Sequence, residues 1–327
     1  MAGAKVAFLS GLPQVVVDAI TPYTPDGWST DVIDSSVPQD EQNARLVDAD
    51  FILVYRSKLM DEGLRGASKA RLVQLLAAGY DSMNLKLMRD LEVPCANNGG
   101  ANSTAVADHT VLLMLTLYKQ LVASDDSTRN GTWNKPVTGT NTFEMSGKVV
   151  GVLGVGNIGK KVAKRVQAFD AVVQSFDLFP MDEDQARELD IKQVSLEELF
   201  RTSDIISCHT PLTDDTRHIV NAERLAMMKP STVVINTSRG PVVDEQALIK
   251  ALQQGKIAGA GLDVFEVEPV AKDNPLLKMD NVVVTPHTAG TTWDTWFRRA
   301  QFAYENMERV WNGEAPQAIA QTYDIEK

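Results

Sequence analysis

Lys148-Val149-Val150-Gly151-Val152-Leu153-Gly154-Val155-Gly156-Asn157-Ile158-Gly159 is the stretch whose reading decides the fold. Its first half is a continuous apolar run, the pattern of a strand buried on both faces. Residues 160–169 follow, and Ile158, Val162 and Val166 at spacing four predict a helix there. Glycines between a strand and a helix let the backbone approach a diphosphate at the helix amino terminus. A glycine triad alone would be weak, because 21 glycines in 327 residues give chance matches. Its context carries the reading. A second strand, 171–176, ends at Asp177, 18 residues after the last glycine, where a carboxylate receives an adenosine ribose hydroxyl. Neither Arg nor Lys follows in Asp177-Leu178-Phe179-Pro180, and an acid there repels a 2′-phosphate, so the cofactor expected is NAD rather than NADP.

Working outward, βα alternation occurs twice. Downstream, strands are expected at 205–207, 232–235, 257–262 and 282–284, with helices at 196–201, 222–228 and 244–253. Upstream, strands are expected at 6–9, 51–55, 72–76 and 93–96, with helical stretches between them. One long helix, 102–123, separates the two alternations. Its apolar run 111–115 predicts burial on more than one side, by a domain core and by a partner subunit. A polar segment, 124–144, leads into the nucleotide-binding unit, and an amphipathic helix, 293–311, closes the chain.

The length predicts two domains, and 44% hydrophobic with 23% charged residues is a globular composition. A net charge of −11 and a pI near 4.9 disfavour nucleic acid and anionic membranes as partners. A small anionic substrate would therefore need a local cation. Cys95 and Cys208 make neither a disulfide framework nor a metal cluster, and the longest apolar run is too short to span a bilayer. The amino terminus leads directly into a strand, so a cytoplasmic protein without a leader is expected.

Three segments supply the chemistry. Arg239 in Asn236-Thr237-Ser238-Arg239-Gly240, Glu268 after Asp263-Val264-Phe265, and His287 in Thr285-Pro286-His287 each follow an apolar strand. Strand ends are where open α/β sheets bind ligands. A guanidinium grips a carboxylate through two parallel hydrogen bonds, an imidazole moves a proton near neutral pH, and a neighbouring carboxylate fixes its tautomer. Together they predict a site for oxidising a 2-hydroxy acid. Among the other histidines, His109 is expected to be packed or capping inside its helix, and His218 to be solvated. Cys208 and His209 are adjacent on a strand and point to opposite faces, so they cannot act as nucleophile and base. Cys208 is read as core, and His209, at the strand end, as lining the cofactor cleft.

In combination these motifs closely resemble the D-isomer-specific 2-hydroxyacid dehydrogenase family. Further matches are Ala78-Gly79-Tyr80-Asp81, Gly100 to His109, and His209-Thr210-Pro211-Leu212-Thr213. The resemblance implies an α/β fold of two doubly wound parallel-sheet (Rossmann/flavodoxin-like) domains with a cleft between them. A substrate or lid domain would comprise 1–101 plus 290–327, and an NAD-binding domain 102–289. It also implies a homodimer built on the helix from Asn102. By resemblance Glu268 rather than Glu266 is the histidine's partner, and the amides of Gly79 and Tyr80 form a second carboxylate clamp. Cofactor contacts are implied for Gly154, Gly156, Asn157, Ile158, Gly159, Asp177, His209, Thr210, Pro211, Thr237, Ser238, His287 and Gly290, with Asp263 on the nicotinamide carboxamide.

Arg56-Ser57 and Trp133-Asn134-Lys135 resemble substrate-proximal segments of phosphoglycerate dehydrogenases, which implies an acid with a second anionic group, 3-phosphoglycerate being the first candidate. Arg56 could equally pair with Asp61 or Glu62. With Lys327 as its last residue, the chain is expected to lack the regulatory domain of the longer members. Lactate-like, glyoxylate-like or phosphite-oxidising members would share the same Arg, Glu and His. A rival of another class is a dinucleotide-sensing scaffold resembling the C-terminal binding protein corepressors, disfavoured by the lack of long disordered tails.

Overall fold

Parallel strands cannot be joined by hairpins, so each apolar run must return through a crossover, and the helices of that crossover cover both sheet faces. The computed structural model, which describes residues 3–133 and 139–320, contains two such sheets. The chain divides into two compact units, Met1–Asn102 with Thr291–Lys327, and Ser103–Gly290.

In the first unit, β1 (Lys5–Ser10), β2 (Ser29–Asp34), β3 (Phe51–Tyr55), β4 (Leu72–Leu75) and β5 (Cys95–Ala96) form a parallel sheet in the order β2-β1-β3-β4-β5. Alternation along the strands sends Phe8, Phe51 and Leu53 to one core with Trp296, Ala300 and Tyr304 of the helix Trp293–Trp311. Leu9, Ile52 and Val54 go to the other core, with Leu46, Leu64 and Leu87. The strand order reverses between β1 and β3, which puts the turns at Gly11 and Arg56 at the switch point. There the two turns press together, since a Cβ on Gly11 would lie 2.4 Å from the Arg56 carbonyl oxygen.

In the second unit, β6 (Val149–Leu153), β7 (Val172–Phe176), β8 (Ile191–Gln193), β9 (Ile205–Cys208), β10 (Val233–Asn236), β11 (Gly259–Leu262) and β12 (Val282–Val284) form a parallel sheet in the order β12-β11-β10-β9-β6-β7-β8. Its switch point lies between β6 and β9, so the glycine turn after β6 and the loop at His209 border the ligand crevice of a doubly wound fold.

The expected helix 102–123 is two helices, Ser103–Lys119 and Leu121–Arg129, broken at Gln120, whose backbone is left-handed at φ 49°. The first packs on the sheet through Val111, Leu113 and Met114. Beyond the break Leu121 and Val122 are exposed, so no core holds the original axis. The second helix also occupies part of the segment read as merely polar. Strands β2 and β8 escaped the sequence reading because their polar compositions, Ser29-Thr30-Asp31-Val32-Ile33-Asp34 and Ile191-Lys192-Gln193, offer no apolar run. No helix among the described residues is long and apolar enough to cross a membrane.

Candidate active site

The glycine turn is built by contacts that exclude side chains. Gly154 has φ +93° and leaves no room for a Cβ, which would meet the His209 carbonyl carbon and the Thr210 nitrogen at 2.9 Å. A Cβ on Gly159 would lie 2.1 Å from the Gly154 carbonyl oxygen, so the helix Gly159–Gln167 can sit this tightly on β6 only with glycine there. At Gly156 a Cβ would meet nothing within 4 Å. The turn is thus closed on its protein side and open on the other, a cradle for a diphosphate at a helix amino terminus. Asn157 is exposed and Ile158 half-buried at that open end.

Asp177 stands at the carboxyl end of β7. It accepts the Val155 amide at 2.7 Å and the Phe179 amide at 3.0 Å, which ties the acid to the glycine turn. Across the crevice, His209 meets Ser207 through Nε2 at 2.8 Å, while His209 Nδ1 and Thr210 Oγ1 are buried without a hydrogen-bond partner. Orphaned polar atoms beside an open phosphate cradle are what a dinucleotide site shows before its ligand satisfies them. Burial pushes the His209 pKa down to about 3, so its imidazole is neutral near pH 7. Pro211 accepts Thr216 Oγ1 at 2.6 Å, which shapes the following loop. Cys208 is fully buried, with its thiol pushed up to about 12 by desolvation, and is a core residue.

Arg239 follows β10. Asn236 organises the turn, accepting Ser238 N and Oγ at 3.0 and 2.8 Å and donating to the Arg239 carbonyl at 2.9 Å. Thr110 Oγ1 donates to the Val106 carbonyl, so the 2.9 Å contact between Thr110 and Thr237 is a bond that Thr237 donates. The Ser238 hydroxyl hydrogen is thereby engaged within the turn, and that of Thr237 ties the turn to the helix Ser103–Lys119. Gly240 lets this turn touch the next loop, because a Cβ there would lie 1.7 Å from the Phe265 carbonyl oxygen.

That next loop carries Glu268. Its Oε1 accepts the Phe265 amide at 3.0 Å, and its Oε2 lies 2.6 Å from His287 Nδ1. Burial raises the Glu268 pKa, but the His287 and Phe265 hydrogen bonds and the charges of His287 and Arg239 outweigh it and hold the carboxyl below its ordinary range. Its neighbour Glu266 lies 2.5 Å from His218 Nε2, so each glutamate of the loop has its own histidine. His218, expected to be only solvated, is therefore paired, and its exposure is that of a half-covered ring.

His287 follows β12 with φ 52°, an uncommon conformation for a residue with a Cβ. Asp263 holds it there. The Asp263 side chain is 1% exposed; its Oδ1 accepts Thr285 Oγ1 at 2.5 Å and Thr288 N at 2.9 Å, and its Oδ2 accepts Ala289 N at 2.9 Å. The His287 amide donates to the Asp263 carbonyl at 2.8 Å. The acid read as a carboxamide ligand is thus wrapped by the turn bearing His287. His109 is packed, as its place in a helix predicts, and reaches Thr285 Oγ1 at 3.0 Å. Gly290 is the last residue of this unit.

The first unit places Arg56 and Ser57 after β3. Arg56 has φ 48°, and with Ser57, Lys58, Ser35, Gln39 and Gln42 it lines a cavity of about 400 Å³. Its guanidinium carbon lies 5.8 Å from the Tyr55 ring centroid, and Arg299, buried against Trp296, lies 5.4 Å from the same ring. Asp61 is the acceptor of Asn84 Nδ2 at 2.9 Å. Gly79 and Tyr80 lie in the loop after β4, pinned by Asn97 Nδ2 to the Ala78 carbonyl and by Met83 N to the Tyr80 carbonyl. Trp133 is exposed, while Asn134 and Lys135 lie outside the described residues. Sequence reasoning missed the Tyr55–Arg299 contact and the Thr285–Asp263 bond, since each joins residues far apart in the chain; only the position of Thr285 two residues before His287 pointed to it.

A dinucleotide cradle on a doubly wound sheet, with arginine, glutamate and histidine at its strand ends, defines an NAD-dependent oxidoreductase acting on CH–OH donors. The family model for the D-isomer specific 2-hydroxyacid dehydrogenase NAD binding domain matches residues 111–289. Glyoxylate reductase of Thermofilum pendens is 37% identical over 283 residues, covering 85% of this chain and 82% of that protein. D-3-phosphoglycerate dehydrogenase of Methanocaldococcus jannaschii is 33% identical over 294 residues, covering 89% of this chain and 55% of that protein. The apo structure of Rhodotorula graminis D-mandelate dehydrogenase matches with a TM-score of 0.86 at 27% identity, over 98% of both chains. The chain belongs to the D-isomer specific 2-hydroxyacid dehydrogenase family, and the scaffold reading gives way to that of an enzyme.

Proposed function

We propose that the protein interconverts glyoxylate, or another short 2-oxo acid, and the corresponding 2-hydroxy acid with NAD. The observation that carries this reading is the 2.6 Å contact between Glu268 Oε2 and His287 Nδ1. With Nδ1 engaged by a carboxylate, the other ring nitrogen is the one left to exchange a proton with substrate. In the oxidation direction Arg239 holds the substrate carboxylate, His287 Nε2 takes the hydroxyl proton, and Glu268 stabilises the imidazolium formed. In reduction the same imidazolium returns the proton to the carbonyl oxygen. NAD, when bound in the Gly154–Gly159 cradle, would supply the acceptor for the hydride that leaves the substrate carbon, and NADH its donor in reduction. Asp177 favours NAD over NADP, and Asp263 acts by fixing the turn of His287.

Glyoxylate is preferred to 3-phosphoglycerate because the glyoxylate reductase match spans most of both chains, whereas the phosphoglycerate dehydrogenase match spans about half of that enzyme. One feature favours the second reading: Arg56 and Lys58 share a cavity with Ser57, a setting for a second anionic group. Absorbance of the reduced nicotinamide separates the two. Rapid oxidation of NADH by glyoxylate, with little NAD reduction by D-3-phosphoglycerate, is expected; the opposite order would select the phosphorylated acid, and turnover of L- but not D-2-hydroxy acids would overturn the stereochemical class. The exposed Leu112, on the helix Ser103–Lys119, and the exposed Leu121 and Val122, on the next helix, support a homodimer formed through these helices. Light scattering from a monomer at micromolar concentration would contradict it. Buried free thiols at Cys95 and Cys208 suit a reducing cytoplasm.

A further inference from the structure

We propose that His109 is a positioning residue for His287, acting through Thr285 and Asp263. The inference rests on the reading in which His287 carries the acid–base step. All four residues belong to the unit Ser103–Gly290. The direction of each hydrogen bond follows from a proton count. Thr285 has one hydroxyl hydrogen, and the Asp263 oxygen 2.5 Å away is an acceptor that also receives the Thr288 amide, so Thr285 donates to Asp263. At the 3.0 Å contact with His109 the hydroxyl must then accept, and His109 Nε2 must carry a hydrogen. The chain therefore runs one way, from His109 Nε2–H to Thr285 O–H to the Asp263 carboxylate. Successive donors in such a chain polarise one another and strengthen each bond.

The chain matters because of what Asp263 holds. Its side-chain oxygens take the amides of residues 288 and 289, and its carbonyl takes the amide of His287 itself. These bonds surround the left-handed backbone of His287, a conformation that persists only where neighbours over-determine it. The next residue along the helix does the same for the other loop, since Thr110 is bonded to Thr237, two residues before Arg239. Leu113 packs one turn further on, where a Cβ added to Gly261 of β11 would meet its Cβ at 3.0 Å. The helix Ser103–Lys119 is thus bonded to the turns that carry Arg239 and His287, and His109 is its contact with the second.

Four variants of the full chain test this, Thr285→Val, Thr285→Ser, His109→Leu and His109→Gln, read by steady-state kinetics, NADH affinity, and the ¹⁵N and ¹H resonances of the His287 ring. Thr285→Val and His109→Leu should lower kcat about tenfold with NADH affinity unchanged, the signature of a misplaced group rather than a lost binding contact. They should also shift the His287 Nδ1 proton resonance. Thr285→Ser and His109→Gln, which keep a hydroxyl and a donor, should hold kcat within about threefold of wild type and leave the resonance at its wild-type position. Wild-type kcat and an unmoved resonance in Thr285→Val and His109→Leu would overturn the proposal, as would equal damage from the conservative and disruptive members of each pair, which indicates packing alone. The resonance is measured without substrate, so it judges the positioning separately. Full turnover in His287→Gln would instead refute the acid–base reading on which the proposal rests.

Discussion

Glu268 Oε2 lies 2.6 Å from His287 Nδ1, and the same carboxylate accepts the Phe265 amide through its other oxygen. The glutamate is therefore fixed on its own loop before it orients the imidazole. Glu268→Gln keeps the shape but removes the charge that stabilises an imidazolium. It should lower kcat by about 10²-fold with little change in NADH affinity, a loss within the range of general acid–base catalysis. Parallel measurements of kcat and NADH quenching check this, and an unchanged kcat would remove Glu268 from the mechanism.

Arg239 reaches the site because its turn presses on the Glu268 loop at Gly240. Arg239→Lys should reduce kcat/KM by about 10²-fold or more, since an ammonium lacks the planar fork that binds a carboxylate at two points. Gly240→Ala makes a second, geometric test. The added methyl would lie 1.7 Å from the Phe265 carbonyl oxygen, so one loop must move, and activity should fall while NADH still binds. Near-normal turnover in either variant would contradict the placement of this clamp.

Asp177→Ser should weaken NAD and improve NADP, because the carboxylate that would repel a 2′-phosphate is gone. The gain should be partial, for Asp177 also holds the Val155 amide of the glycine turn at 2.7 Å. Ratios of kcat/KM for the two cofactors measure it, and an unchanged ratio would show that discrimination resides elsewhere.

His209 predicts a stability effect with a definite sign. Burial holds its folded pKa near 3, below the ordinary value of 6.5, so between those limits the unfolded chain binds a proton that the folded chain does not. Stability from this group is complete above pH 6.5 and is lost as the pH falls toward 3. Urea denaturation at pH 7 and pH 5 should show wild type losing more stability than His209→Gln. Equal losses would mean that the imidazole titrates normally in the fold.

Much of this fold is legible in the chain because parallel strands buried on both faces announce themselves as apolar runs, as at 148–153 and 232–235, and because glycines mark the turn between β6 and its helix. Strands β2 and β8 are not, since each mixes polar residues into a short strand and lacks that composition. The helix break at Gln120 is hidden for a related reason: Leu121 and Val122 extend the apolar pattern although both are exposed. At the candidate site, strand-end position is legible for Arg239 and His287, which follow β10 and β12. The pairing of Glu266 with His218, and the bonds that join His109 to Asp263 through Thr285, depend on how three crossovers converge, and no local pattern encodes that convergence.

The most direct test of the account is the rate of NADH oxidation by His287→Gln under saturating 2-oxo acid, measured beside wild type with NADH affinity determined for both. Loss of the only proposed proton carrier should lower kcat by about 10³-fold or more while NADH binds as before. A variant that retains turnover within about tenfold of wild type would show that the proton moves by another route and that the Arg239–Glu268–His287 assignment is wrong.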